Sequence, residues 1–80
     1  MKIEKLLIAN RAEIALRIMR TCQRLGIKTV SLYTLEEDNL PQRYVADESV
    51  YLQGKSLAET YLNMDKIISI AKEHKCDAIH

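Results

Sequence analysis

Glycine and the larger aromatic residues are scarce in this sequence of 80 residues. It contains two glycines, four tyrosines and no tryptophan or phenylalanine. There are 12 basic and 11 acidic residues, so the net charge is only +1. Binding of nucleic acid needs a basic surface, and binding of a single strand also uses aromatic rings on which bases stack. The composition therefore argues against a nucleic-acid partner.

Long apolar runs are also missing. The first ten residues, MKIEKLLIAN, are interrupted by charges before Arg11, whereas a membrane-spanning helix needs about 20 consecutive apolar residues. We therefore predict no membrane association and a cytoplasmic location. Cys22 and Cys76 lack the close pairing of zinc or redox motifs. We expect two free thiols that pack as small apolar groups.

The remaining composition is that of one globular domain over residues 1–80. Apolar residues make up 48% and charged residues 29%, and no repeat or low-complexity segment interrupts them. A domain of this size buries only about 60% of the surface of its unfolded chain. We therefore expect another domain or subunit to cover part of it.

Short strand patterns alternate with longer helix patterns along the chain. Apolar runs and alternation predict strands at residues 3–9, 28–34, 49–52 and 77–80. Apolar spacings of three and four predict helices over residues 10–25 and from Asn63 to about residue 74. The predicted buried positions are Ile14, Ala15, Ile18, Met19, Cys22 and Leu25 in the first helix, and Met64, Ile67, Ile68, Ile70 and Ala71 in the second. An acidic turn at residues 36–38 and a short helix from Pro41 to about residue 46 complete the prediction.

The ends of these helices carry recognisable residues. Asn10 with Glu13, and Ser56 with Glu59, match the capping box, in which two side chains bond each other's backbone amides. Gly26 suits the left-handed residue that ends a helix. Four strands alternating with helices predict an α/β fold, an open parallel sheet of Rossmann-like type in spatial order 3-2-1-4. Ligands of such sheets bind outside the carboxyl ends of the strands.

The turn after the first predicted strand lacks the glycines of a nucleotide site. It reads Ala-Asn-Arg-Ala-Glu, and G-x-G-x-x-G occurs nowhere in the chain. Independent binding of NAD, FAD or a P-loop nucleotide is therefore not expected, and the acidic residues 36–38 are interpreted as a solvated loop rather than a ribose site. No metal-ligand spacing or serine elbow is present, so we predict no catalytic residue. His74 lies near a helix end, and His80 ends a strand, either as a structural residue or at a cleft edge.

Three arginines form the most unusual pattern. Arg17, Arg20 and Arg24 recur at spacings of three and four on the first predicted helix. They form either a solvated face or a contact with another subunit or domain, since arginine is enriched in interfaces. Asn10, Arg11 and Glu13, at the carboxyl end of the first strand, form either a capping turn or the edge of a cleft.

The run LIANRAEIALRIMR, from Leu7 to Arg20, resembles the opening signature of biotin carboxylases. Further matches are LGIKTV at residues 25–30, ADE at 46–48, YLN at 61–63 and DAIH at 77–80, so the resemblance covers essentially the whole chain. It implies an enzyme that uses MgATP and bicarbonate to carboxylate biotin on a carrier protein. A carboxyltransferase then passes the carboxyl group to an acyl-CoA or to pyruvate. The resemblance also implies a homodimeric parent and a Rossmann-like pre-ATP-grasp domain, packed beside the ATP-grasp domain that holds nucleotide and metal.

The sequence departs from the family pattern at two positions. The family commonly has glycine where Ala12 stands, a change without cost if Ala12 is already helical. It has an acidic residue at Arg24, so a reciprocal pairing with Arg20 is not assumed. A Pro-Gly-Tyr-Gly loop usually follows the position of His80, and we therefore expect a fragment truncated at its last strand, with no cofactor of its own. The alternatives are a free-standing nucleotide or small-molecule module, which requires a complete pocket, and a non-catalytic assembly module.

Overall fold

Strands and helices alternate in the computed structural model, which describes residues 2–34, 45–56 and 58–80. Their order is β1 (Lys5–Ile8), α1 (Ala12–Leu25), β2 (Lys28–Tyr33), β3 (Glu48–Tyr51), α2 (Met64–Glu73) and β4 (Ala78–Ile79). Each predicted strand and both long helices are present; β3 is shifted by one residue toward the amino terminus, and the other elements are slightly shorter than predicted. The predicted acidic turn at residues 36–38 and most of the short helix from Pro41 lie outside the described residues.

The strands form one parallel sheet in the order β3-β2-β1-β4, which confirms the predicted order and the α/β fold. In the register, Leu7 of β1 lies beside Val30 of β2 on one side and Ile79 of β4 on the other. Because all the strands are parallel, their carboxyl ends meet at one edge of the sheet. The turn that follows β1 and the residue that follows β4, His80, are therefore brought together.

Both faces of the sheet are covered, which explains the consecutive apolar residues of β1. On one face, Leu7 packs in a buried cluster with Val30, Leu32 and Leu52, which α2 completes with Ile67 and Ala71. On the other face, Ile8 packs against Ala15 and Met19 of α1. Successive side chains of a strand point to opposite faces, so neighbouring residues of β1 enter different cores.

The predicted capping box of α1 is wrong. Arg11, not Asn10, is the N-cap residue, its backbone is extended, and it makes no side-chain capping hydrogen bond. The Asn10 side chain instead reaches His80 at the end of the chain. Ala12, the first residue of α1, has a left-handed φ of 52°. The position at which the family commonly has glycine is therefore not in ordinary helical geometry. The other end follows the prediction, since Gly26 caps α1 with a φ of 73°.

The buried faces of the two helices are narrower than their apolar patterns. In α1, Ala15, Met19 and Cys22 are buried, whereas Ile14 and Leu25 are 59% and 67% exposed. In α2, Ile67 and Ala71 are buried, and the predicted core positions Met64 and Ile68 are exposed. The buried residues of α1 follow a single line at spacings of four and three. Beside that line, Ile18 is partly buried and packs against the core, whereas Ile14 and Leu25 lie outside it.

The segment before α2 forms hydrogen-bonded turns rather than a helix. Ser56 Oγ accepts from the amide of Glu59 at 3.4 Å, but the Glu59 carboxylate accepts from Lys55, not from Ser56. The second capping box is therefore only half formed. Asn63 does begin α2 as predicted, with its Oδ1 accepting from the amide of Lys66 at 3.1 Å.

Cys22 and Cys76 are free thiols, buried and half-buried respectively, as predicted. Burial raises the pKa of both thiols above the ordinary value, so little reactive thiolate forms near neutral pH. Among the described residues, neither helix is long and apolar enough to cross a bilayer.

Candidate functional site at the carboxyl end of β1

An open pocket of about 550 Å³ lies where β1 gives way to α1, at the carboxyl edge of the sheet. It is lined by Ala9, Asn10, Arg11, Ala12, Ile14, Tyr61 and Leu62. This is the edge at which open parallel sheets bind ligands. Of the four residues offered for a cleft edge, which are Asn10, Arg11, Glu13 and His80, the first two lie in its wall.

Asn10 joins the turn after β1 to the end of β4. Its Nδ2 donates to the carbonyl of His80 at 3.1 Å and lies 3.0 Å from His80 Nδ1. The amide nitrogen of Asn10 can therefore donate both to the backbone and to the ring of His80. The amide of Ala9 also donates to the His80 carbonyl, at 3.0 Å. His80 is therefore fixed at the predicted edge of the sheet, beside Asn10.

Arg11 lies over the ring of Tyr61, with its guanidinium carbon 5.0 Å from the ring centroid. The Tyr61 hydroxyl donates to the carbonyl of Leu32 in β2 at 3.1 Å, and this hydrogen bond fixes the position of the ring. A cation at this distance is attracted to the electron-rich face of the ring. Tyr61 and Leu62 were not predicted as site residues, although YLN was one of the matched motifs. Their approach to Arg11 depends on folding across about 50 residues, which no local pattern reveals.

The other predicted site residues lie outside this pocket. Glu13 is not among the lining residues; its carboxylate lies 3.8 Å from Nε of Arg17, an exposed contact one helical turn apart. Arg20 and Arg24 follow on the exposed side of α1, where Arg24 Nη2 donates to Thr21 Oγ1 at 3.2 Å. The structure thus separates two features, a pocket at the start of α1 and an arginine row along it.

The pocket does not fit a nucleotide phosphate or a metal ion. Its turn has no glycine, and Ala12 carries a Cβ at the point where a phosphate loop requires bare backbone. Among the described residues, no three His, Cys, Asp or Glu side chains lie close enough together to hold a metal.

A charged cluster lies at the opposite, amino edge of the sheet. The Glu48 carboxylate forms an ion pair with Lys5 Nζ and lies 3.2 Å from Nδ1 of His74, the C-cap residue of α2. The hydrogen bond from Lys5, and then that from His74, lower the pKa of Glu48 below the ordinary value. These contacts join three elements far from the pocket, so we assign them to the stability of the fold.

Comparisons with known proteins agree on one family. The family model for the biotin carboxylase N-terminal domain matches residues 2–80. Biotin carboxylase 2 of Bacillus subtilis is 54% identical over 77 residues, which are 95% of this chain and 17% of that protein. Pyruvate carboxylase of Staphylococcus aureus is 52% identical over 81 residues, which are 99% of this chain and 7% of that protein.

Solved structures give the same result. The biotin carboxylase domain of a thermophilic 2-oxoglutarate carboxylase, bound to bicarbonate, superposes with a TM-score of 0.94 at 40% identity and covers 100% of this chain. Urea carboxylase of Kluyveromyces lactis gives a TM-score of 0.91 at 49% identity. The chain spans 18% and 7% of these two structures. It is thus similar to a small part of much longer proteins.

Proposed function

Because the chain belongs to the biotin carboxylase N-terminal domain family, we propose that it serves as the Rossmann-like unit of a biotin carboxylase. Such an enzyme carboxylates carrier-bound biotin with ATP and bicarbonate. The observation that carries this proposal is the family match over residues 2–80, together with the close superposition on a bicarbonate-bound biotin carboxylase domain. The partners would be an ATP-grasp domain, a biotin carboxyl carrier protein and a carboxyltransferase, in the cytoplasm.

Within that enzyme, the domain would form one wall of the active-site cleft rather than supply catalytic groups. The pocket is open and its polar groups are few, and it is bordered by Ile14 and Leu62, which are 59% and 67% exposed. Exposed apolar side chains around a cation suit contact with another protein surface. Asn10, Arg11 and His80 would shape this contact, whereas Glu13 would not reach it.

The first experiment measures bicarbonate-dependent ATP hydrolysis with free biotin. It compares the 80-residue chain with a protein extended through an ATP-grasp region. We expect hydrolysis only in the extended protein, because the described residues provide no phosphate cradle or metal site. Activity in the 80 residues alone would contradict this proposal, since it would place the catalytic groups within this chain.

The role of the pocket as a domain contact can be tested with two matched leucines. Leu62 lies in the pocket wall and Leu25 at the far end of α1, and each is 67% exposed. In the extended enzyme, Leu62→Gln should lower activity roughly tenfold, the effect of losing one buried leucine from a contact. Leu25→Gln should leave activity within about twofold. Equal effects of the two substitutions would show that the pocket wall has no special role.

A second proposal concerns the arginine row, which we propose as an assembly surface. Arg17, Arg20 and Arg24 are all exposed along α1, and arginine is favoured in interfaces because it pairs with carboxylates through two hydrogen bonds. Reversing two charges, with Arg20→Glu and Arg24→Glu, should reduce the molar mass of the extended enzyme measured by light scattering. The matched control reverses Lys72 and Lys75, which are also exposed. An unchanged mass in the arginine variant would rule out this surface.

A further inference from the structure

One lysine holds both ends of the loop that precedes α2. Lys66 Nζ donates to the carbonyl oxygens of Gln53 and Glu59, the latter at 2.8 Å. We call residues 53–56 and 58–60 the clamp loop. Lys66 lies in the first turn of α2, and its own amide donates to Asn63 at 3.1 Å. A single ammonium group thus ties the start and the end of the clamp loop to the helix.

The clamp loop is also closed by contacts within itself. The Glu59 carboxylate accepts from the amide of Lys55 at 2.6 Å, and the Thr60 hydroxyl donates to the carbonyl of Ser56 at 2.9 Å. A Cβ added at Gly54 would lie 2.8 Å from Cβ of Glu59, so the two sides of the loop are in close packing. These contacts make the loop a connected unit, whose position depends on what holds it to the rest of the domain.

The end of the clamp loop continues directly into the pocket wall. Thr60 is 4% exposed and is followed by Tyr61 and Leu62, which both line the pocket. The Tyr61 ring lies under the guanidinium of Arg11 at 5.0 Å. A displacement of Glu59 or Thr60 would therefore move the ring that supports Arg11.

We propose that Lys66 is a positioning residue for the pocket: its charge holds the clamp loop closed and thereby sets Tyr61 and Leu62 against Arg11. Hydrogen bonds donated by an ammonium group are charge-assisted and stronger than those between neutral groups. They join Lys66 to backbone carbonyls, so they fix the position of the backbone of the clamp loop and not only that of a side chain. The functional consequence rests on the proposed role of the pocket as a domain contact, but the positioning itself does not.

The test compares Lys66→Met, which keeps most of the length of the side chain and removes its charged group, with Lys66→Arg, which keeps a cation. Amide hydrogen exchange and the Tyr61 ring signals are followed by NMR. In Lys66→Met we expect the amides of Glu59 and Thr60 to exchange about tenfold faster, the effect of losing a charge-assisted hydrogen bond. The amides of β1 and β2 should be unchanged, and the Tyr61 ring signals should shift. In Lys66→Arg, the amide exchange rates and the Tyr61 ring signals should remain close to those of the original chain.

Two outcomes would overturn the proposal. Uniformly faster exchange that includes β1 and β2 would mean that Lys66 contributes only to global stability. A looser clamp loop with unshifted Tyr61 signals would mean that the loop does not position the pocket wall. If Lys66→Met does not fold, Lys66→Gln, whose side chain is uncharged and shorter than that of lysine, is measured instead against the same expectations. Because these readouts are structural, they stand apart from any failure of the enzyme to hydrolyse ATP.

Discussion

The conformation of Ala12 makes the turn between β1 and α1 less stable than it could be. With a φ of 52°, this alanine lies in the left-handed region, where its Cβ crowds the backbone at a cost of about 1 to 2 kcal/mol. Glycine avoids this crowding but loses about 0.5 to 1 kcal/mol through the greater entropy of its unfolded chain. Ala12→Gly should therefore raise the free energy of unfolding by about 0.5 to 1 kcal/mol, measured by urea denaturation.

Ala15→Gly is the matched control for this prediction. Ala15 lies in the interior of the same helix, is fully buried, and has an ordinary negative φ. The same substitution there should lower the free energy of unfolding by about 1 kcal/mol or more, since it loses both helix propensity and a packed methyl group. Opposite signs at the two positions would support the strain at Ala12, whereas a loss at both would contradict it.

At the scale of the elements, structural features that depend on neighbouring residues could be predicted from the sequence, whereas contacts between distant residues could not. Strand and helix positions, the sheet order and the Gly26 cap follow from local periodicity and from the rules of parallel sheets. The role of Asn10 does not, because its partner His80 is 70 residues away. For the same reason the sequence could offer a cleft edge at Asn10 and Arg11 only as one of two interpretations, and it gave no sign that Tyr61 lines the same pocket.

The shortest element, β4, has only two residues and depends on contacts at its ends. At its start, one oxygen of Asp77 accepts from the amides of Glu4 at 2.9 Å and Lys5 at 3.0 Å. Asp77→Ala should therefore lower the free energy of unfolding by about 1 to 2 kcal/mol, as these exposed amides lose a charged acceptor. Asp77→Asn, which keeps a side-chain oxygen, should lose less. Hydrogen exchange of the His80 amide should accelerate in parallel, and equal stability of all three proteins would refute this role.

At the scale of the whole molecule, the cluster around Glu48 links two strands that are not neighbours in the sheet, β1 and β3, to the end of α2. Lys5 belongs to β1, Glu48 to β3, and His74 caps α2. The pKa of Glu48 is lowered in the folded state, chiefly by Lys5 and then by His74. The folded state therefore binds a proton here less readily than the unfolded chain, so the stabilisation is full above pH 4.5, the ordinary glutamate value, and is lost as the pH falls through the lowered pKa.

Glu48→Gln should therefore flatten the acid side of the stability profile. Its unfolding free energy should lie below that of the original chain at pH 7 and converge with it as the pH falls below 4.5. The difference should be small, because the carboxylate side chain is 42% exposed and solvent screens such pairs. Urea denaturation at a series of pH values measures the two profiles. Parallel profiles would show that the lowered pKa does not contribute to stability, whereas convergence in acid would identify this cluster as the charge-dependent link between β1, β3 and α2.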